Sequence, residues 1–177
     1  GAPGPICRIW SGMVFPFADY LVLGQLGQGG MARVFAAQDG SGLNRLVVLK
    51  VYASHIRSRV DPAELEPMLE LEARLTGLSC HPNVVQIHRI GSFQGTPYIE
   101  MEYLLGVNLA SIQHQLVNKR VRCPVDLAAA LLSQACLGLH AAHEACDASG
   151  RPLEIVHRDC TPSNIMVLPT GDVKLID

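Results

Sequence analysis

This chain has no run of basic residues, no C-x-x-C pair and no long uninterrupted apolar stretch, and each absence excludes a class of partner. With a formal net charge of -2 and Lys and Arg scattered along the sequence, it offers no positive field to a nucleic-acid backbone, and no nucleic-acid partner is expected. The six cysteines (Cys7, Cys80, Cys123, Cys136, Cys146 and Cys160) are widely spaced, which argues against a zinc knuckle and against a disulfide framework. They read as reduced thiols in a cytoplasmic setting. The longest apolar stretch, 127–139, is interrupted by Ser133, Gln134 and Gly138 and falls short of the roughly 20 residues that a bilayer span needs. No membrane contact is expected from this segment. The first 17 residues lack the basic start and continuous hydrophobic core of a signal peptide, and the missing initiator Met points to a fragment. Internal repeats and low-complexity segments are also absent.

What is present is enough apolar residue, 49% of 177 positions, to bury a sizeable core. Apolar runs at 21–23, 33–36 and 46–49, punctuated by glycine-rich turns, predict three short antiparallel strands. Asp61-Pro62 then offers an N-cap and a first-turn proline to a helix carrying Leu65, Met68, Leu69, Leu71 and Leu75, with Pro67 delaying its regular part. After His81-Pro82-Asn83, strands are expected over 85–93 and 97–103 around a Gln94-Gly95 turn, completing a five-stranded sheet with one inserted helix. Helical patterns follow at 109–117 and 125–146, the second rich in Ala and Leu as a buried helix should be. A shift in composition near Gly106 divides this α+β chain into a tail (1–19), a sheet-based lobe (20–103) and a helical lobe (104–177).

Three clusters carry candidate chemistry. Gly27-Gln28-Gly29-Gly30 lies between two expected strands, where glycines let backbone N–H groups approach phosphate oxygens; a plain hairpin turn accounts for the same glycines. The strand-turn-strand setting excludes a dinucleotide fingerprint and a Walker loop, both of which open a helix. Lys50 ends an apolar strand, either as an edge residue that discourages strand pairing or as a point charge for phosphates, oriented by a carboxylate. Glu72 on the following helix is the candidate carboxylate, with Glu70 the runner-up. The richest cluster is His157-Arg158-Asp159-Cys160-Thr161-Pro162-Ser163-Asn164, followed by Val173-Lys174-Leu175-Ile176-Asp177. Asp159 suits a proton acceptor or an orienting group for an attacking hydroxyl, and Asn164 offers a neutral oxygen to a hard cation. Asp177 is a second candidate metal ligand. His157 reads as a structural histidine, Arg158 as the partner of an acidic or phosphorylated group, and Cys160 as an inert thiol.

These residues, in this order and spacing, resemble the bacterial eukaryotic-like Ser/Thr protein kinases over about 20–177. The resemblance implies a two-lobe kinase fold, with the chain stopping at the Asp of the magnesium-binding DFG motif and the helix over 125–146 left with an apolar face uncovered. It implies that ATP and Mg2+ are bound and that the γ-phosphoryl group passes to Ser or Thr of a protein substrate. Gly27, Gln28, Gly29 and Gly30 would cover the phosphates, Lys50 would hold them and Glu72 would hold Lys50. Val34, Val48 and Met166 would enclose adenine, Met101 would be the gatekeeper, the backbone of Glu102 and Leu104 would meet the adenine edge, and Asn108 would lie near the ribose. Asp159 would accept the proton of the substrate hydroxyl or orient that hydroxyl, with Asn164 and Asp177 on the metal. Departures from the pattern are Ala32 for the third loop glycine, Thr161 where a Lys is usual, Thr76 at a commonly apolar helix position, and a polar insert over 147–154 expected as an exposed hairpin or loop. Other readings are a pseudokinase-like module that binds a nucleotide or partner without catalysis, and a small-molecule phosphotransferase.

Overall fold

The structure, a computed structural model, describes residues 14–29, 32–52, 81–146 and 149–176. The helix expected over 61–77 lies outside the described residues. The chain divides into two compact units, one comprising 1–71 and 87–103 and the other 72–86 and 104–177.

In the first unit, β1 (Phe15–Phe17), β2 (Tyr20–Gln28), β3 (Ala32–Asp39), β4 (Leu46–Tyr52), β5 (Ile87–Phe93) and β6 (Thr96–Glu102) form one antiparallel sheet in the order β1-β2-β3-β4-β6-β5. The five expected strands are all there, and β1 corrects the strand count to six. It pairs with β2 across a turn in which Ala18 has φ +50°, and Phe17 packs edge-on against Phe93 and Tyr98 at ring-centroid distances of 5.1 and 5.5 Å. Three residues are too few to show a period, and Pro16 is tolerated because β1 is an edge strand.

Alternation along the central strand β4 sorts the sheet into two faces. Val47, Leu49, Tyr20, Val22, Ala37 and Tyr98 form the core of one face, while Ala32, Tyr52 and Ile99, with Met101 packed against them, belong to the other. Leu49 and Ile99 are almost wholly buried, and each removes enough apolar surface from water to contribute about 1.5–3 kcal/mol.

The first face also buries a charge. Glu100, 5% exposed, accepts a 2.6 Å hydrogen bond from the Tyr20 hydroxyl and lies 3.3 Å from His88 Nδ1 and 3.7 Å from Arg89 Nε. Arg89 in turn donates to the Tyr20 oxygen at 2.7 Å and to the Tyr98 oxygen at 3.2 Å. These bonds join the start of β2 to β5 and β6, and they compensate a carboxylate that would be costly if buried alone.

The second unit contains β7 (Val107–Asn108), α1 (Leu109–Asn118), α2 (Val125–His143), a single 3₁₀ turn (Pro162–Asn164), β8 (Ile165–Val167) and β9 (Val173–Leu175), with the strands in one sheet of order β7-β8-β9. The strand expected from residue 85 starts instead at Ile87. Val84 bridges Leu175 in parallel and the Val85 N–H donates to the Leu175 carbonyl, so these residues belong with β9. Asn108 caps α1 by accepting from the Ser111 N–H at 2.8 Å. Helix α2 stops at His143, three residues before its expected end, and Leu153 N–H donates to the Ala145 carbonyl, with residues 149–152 of the insert exposed.

At 19 residues, with a mean hydropathy of 1.4 over an 18-residue window, α2 is longer than the apolar stretch read at 127–139 and is long and apolar enough to cross a membrane by length and composition alone. Its inner side nevertheless packs as a core helix: Leu131 and Ala135 join Ile165, Val173 and Leu175 in one cluster, and Ala142 meets Ile155 in another. Its outer side leaves Leu127, Leu132 and Leu137 about half exposed. Gly138 permits the closest approach, because a Cβ there would lie 2.6 Å from the Asn83 carbonyl oxygen and 3.0 Å from Leu175 Cδ1.

Two outcomes are expected. Gly138→Ala should lower stability by about 1–3 kcal/mol in urea unfolding, since backbone rather than a flexible side chain must give way. Burial, followed by the hydrogen bond to Glu100, raises the Tyr20 phenol well above its ordinary 10.0, so the folded state favours the protonated form. That contribution is complete below pH 10.0 and is lost as pH rises beyond it. Tyr20→Phe should therefore cost about 1–3 kcal/mol at neutral pH, and the gap to wild type should narrow above pH 10.0.

Candidate functional site

The candidate residues fall in both units, and each group is built by its own unit. In the first, β2 and β3 are joined by the glycine-rich turn, with Gly27 opposite Val34, Gln28 opposite Arg33, and the Gly29 N–H donating to the Ala32 carbonyl at 2.9 Å. The Gln28 side chain accepts from Gln25 Nε2 at 3.4 Å. Among the described residues, a Cβ built at Gly27 would meet nothing within 4 Å, and one at Gly29 would meet only the Ala32 carbonyl oxygen at an ordinary 3.7 Å. Neither glycine has a positive φ, so packing and backbone conformation would both admit a side chain there. Gly30 lies outside the described residues.

Strand registers place Val34 opposite Lys50, Lys50 opposite Ile99, and Val48 opposite Met101. By alternation Val34, Val48, Lys50 and Met101 share one face of the sheet, the one away from Glu100. The Lys50 ammonium lies 5.8 Å from the centroid of the Tyr52 ring, and the side chain is half-buried. Glu102 ends β6 opposite Val47. Glu72, the expected partner of Lys50, lies outside the described residues.

In the second unit the loop from His157 to Asn164 closes on itself through backbone hydrogen bonds. The Asp159 N–H donates to the His157 carbonyl at 2.7 Å, Thr161 N–H to Asp159 at 2.9 Å, and Asn164 N–H to Thr161 at 2.9 Å. Arg158 takes a left-handed φ of +59°, which reverses the chain just before Asp159. Asn164 then grips the acid from its side chain. Its Nδ2 donates to the Asp159 carbonyl oxygen at 3.0 Å and to Asp159 Oδ2 at 2.9 Å. Asp159 is exposed, and among the described residues its Oδ1 meets no hydrogen-bond donor. Asn164 is in turn tied to β9, since its carbonyl accepts from the Ile176 N–H at 2.9 Å.

The remaining candidates sit around this loop. Met166 follows on β8 opposite Asn108 of β7, and both are half-buried; the Asn108 side-chain oxygen is already engaged in capping α1, which leaves its Nδ2 for any further contact. Leu104 opens the chain's return into this unit, and Asp177 lies outside the described residues. Among the described residues, His157 has a buried Nδ1 with no hydrogen-bond partner and Arg158 makes no ion pair. Cys123, Cys136, Cys146 and Cys160 are exposed free thiols.

Among the described residues no group of three or more His, Cys, Asp or Glu could hold a metal. The donors on offer, an Asn amide oxygen beside a carboxylate loop, are hard oxygen ligands few in number, which fits a magnesium ion that keeps waters and substrate phosphates as its other ligands. Sequence reasoning did not find Gln134, whose bonded partners Asn83 and Gly171 lie 51 and 37 positions away, or Tyr20, whose partners Glu100 and Arg89 lie 80 and 69 positions away, because no local spacing marks them.

Comparison with known proteins is consistent with this arrangement. A model of the protein kinase domain matches residues 20–177. Tyrosine-protein kinase MasK of Myxococcus xanthus is 38% identical over 164 residues, covering 92% of this chain and 25% of its own length. Probable serine/threonine-protein kinase PknB of Lactococcus lactis is 31% identical over 91% of this chain and 23% of its own length. For serine/threonine-protein kinase PknA of Mycobacterium tuberculosis the values are 34%, 84% and 32%. The chain thus spans between 23% and 32% of the length of these relatives. The crystal structure of the Mycobacterium tuberculosis PknI kinase domain superposes with a TM-score of 0.65 at 26% identity, covering 92% of this chain and 60% of that one. With the glycine-rich turn, the Lys50 face and the Asp159–Asn164 loop in family order, this chain belongs to the protein kinase domain family.

Proposed function

We propose that this chain carries the nucleotide-binding and catalytic-loop part of a protein kinase that moves the γ-phosphoryl group of ATP, as its magnesium complex, to Ser or Thr hydroxyls of a protein. The observation that carries the reading is the double grip of Asn164 on Asp159. One amide fixes both the backbone and one carboxylate oxygen of an exposed acid, and Oδ1 is left facing no donor among the described residues. That is the arrangement wanted of a group that accepts a proton from an incoming hydroxyl.

In this reading the hydroxyl oxygen forms a bond to the γ-phosphorus as the bond from that phosphorus to the β-phosphate oxygen breaks, and the hydroxyl proton passes to Asp159 Oδ1. ADP carries away the electron pair. Lys50 holds the phosphates from the sheet face shared with Val34, Val48 and Met101, oriented by Glu72. Gly27, Gln28, Gly29 and Gly30 cover the phosphates, and the open space among the described residues where a Cβ would stand at Gly27 supports that role. Met166 closes on adenine, the Glu102 and Leu104 backbone meets its edge, and Asn108 reaches the ribose with its Nδ2. Asn164 and Asp177 hold Mg2+, which when bound screens the charge that builds on the transferred group. The exposed free thiols support a reducing compartment.

A tyrosine acceptor is the second reading, favoured by the 38% identity to a tyrosine-protein kinase and by Thr161 standing where Ser/Thr kinases usually carry Lys. Radiolabelled phosphate transfer by the intact protein, followed by phosphoamino-acid analysis, separates the two acceptors. Asp159→Asn should cut turnover by about 10²–10⁴-fold with little change in ATP affinity. Equal transfer by both proteins would remove Asp159 from the chemistry. ATP binding with no transfer from wild type would favour the non-catalytic module.

In a separate measurement, Mg2+-ATP should raise the melting temperature of the wild-type chain, and Lys50→Met should abolish most of that shift.

A further inference from the structure

Gln134 interrupts the apolar stretch of α2, and its amide is occupied on both sides. Its Oε1 accepts from Asn83 Nδ2 at 3.2 Å and from the Val173 N–H at 3.0 Å, while its Nε2 donates to the Gly171 carbonyl at 3.0 Å. One side chain therefore reads the entry to β9 on both donor and acceptor groups and ties it to the His81-Pro82-Asn83 segment. Asn83 completes the link. It is 7% exposed, its Nδ2 also donates to the Val173 carbonyl at 2.8 Å, and its own carbonyl accepts from the Leu175 N–H at 2.8 Å.

The consequence runs along β9. A strand three residues long, paired only with the equally short β8 within its sheet, has few ladder bonds to fix its axial position. The Gln134 amide supplies what the ladder lacks, because only a group that accepts twice and donates once satisfies Asn83, Val173 and Gly171 together. Immediately beyond β9 the Ile176 N–H bonds the Asn164 carbonyl, and Asp177 follows in sequence.

We propose that Gln134 is a positioning residue for the metal ligand Asn164: by fixing the register of β9 against Asn83, it fixes the Ile176 N–H that holds the Asn164 carbonyl, and so the place from which the Asn164 amide oxygen meets Mg2+. This role rests on the kinase reading of Asn164.

The test uses the intact protein with Gln134→Leu, which removes all three bonds, and Gln134→Glu, which keeps the acceptor and loses the donation to Gly171. Two quantities are read: hydrogen exchange on peptides spanning 168–176, and ATP affinity by calorimetry with Mg2+ and with EDTA. Gln134→Leu should speed exchange across 168–176 and weaken Mg2+-ATP binding about tenfold or more, the size of loss usual when a group that orients a metal ligand is removed. ATP affinity in EDTA should stay unchanged. Gln134→Glu should give a smaller change of the same kind, and it decides the matter if Gln134→Leu does not fold.

Faster exchange with an unaltered Mg2+ dependence would make Gln134 a packing residue and overturn the proposal. Equal weakening with and without Mg2+ would do the same. Failure of the kinase reading itself is separable, since wild type would then gain no ATP affinity from Mg2+, and it would overturn this role as well.

Discussion

The backbone carbonyl of Asn83 lies where a side chain at position 138 would have to go, and the second unit is arranged around that close approach. Because Gly138 has no Cβ, α2 comes near enough to the 81–86 segment for Gln134 to reach Asn83 and Val173 with one amide. The same approach lets Leu175 bond the Asn83 carbonyl and Val85 bond Leu175. β9 is thus held as much by a helix and a loop as by its own sheet. Through Ile176 that hold extends to Asn164, and through the Asn164 amide to Asp159. The acid in the exposed loop is at the end of a chain of hydrogen bonds that begins with a missing methyl group.

The first unit solves a different problem. Its sheet has two faces with different duties, and the alternation of β6 separates them: Glu100 turns toward Tyr20 and Arg89, while Met101 turns toward the face that carries Lys50. The buried carboxylate is therefore saturated by partners in its own lobe face and is no candidate for chemistry, although an isolated buried acid would ordinarily attract attention as one. The ion-paired network joins β2, β5 and β6 on one side, and the other carries the Lys50 ammonium near the Tyr52 ring.

Local chemistry was legible in the sequence and remote pairing was not. Asp159 and Asn164 are five positions apart, so their loop could be read from spacing, as could the strands around Lys50, whose β-branched run matches β4 closely. Val84 and Val85 continue an apolar pattern into β5, but their backbone pairs with Leu175, ninety positions on, and nothing in a local window distinguishes the two. β1 went unread for another reason: it pairs locally with β2, from Phe15 opposite Val22 to Phe17 opposite Tyr20, but three residues are too few to show an alternating pattern. In the same way, Asn108 reads as a polar side chain near a ribose, yet its oxygen serves the start of α1, because the residue after it begins a helix that needs a cap.

The glycine-rich turn has a consequence of another kind. At Gly27 and Gly29 the fold leaves room for a side chain and asks for no unusual backbone angle. Selection for folding alone would let these two positions drift, whereas Gly138 would be held by the packing of α2. Among the described residues nothing in the polypeptide demands glycine at 27 and 29, which makes whatever approaches the turn the natural source of such a pressure, and a random library at these two codons sorted first for folding and then for ligand capture would separate the two pressures.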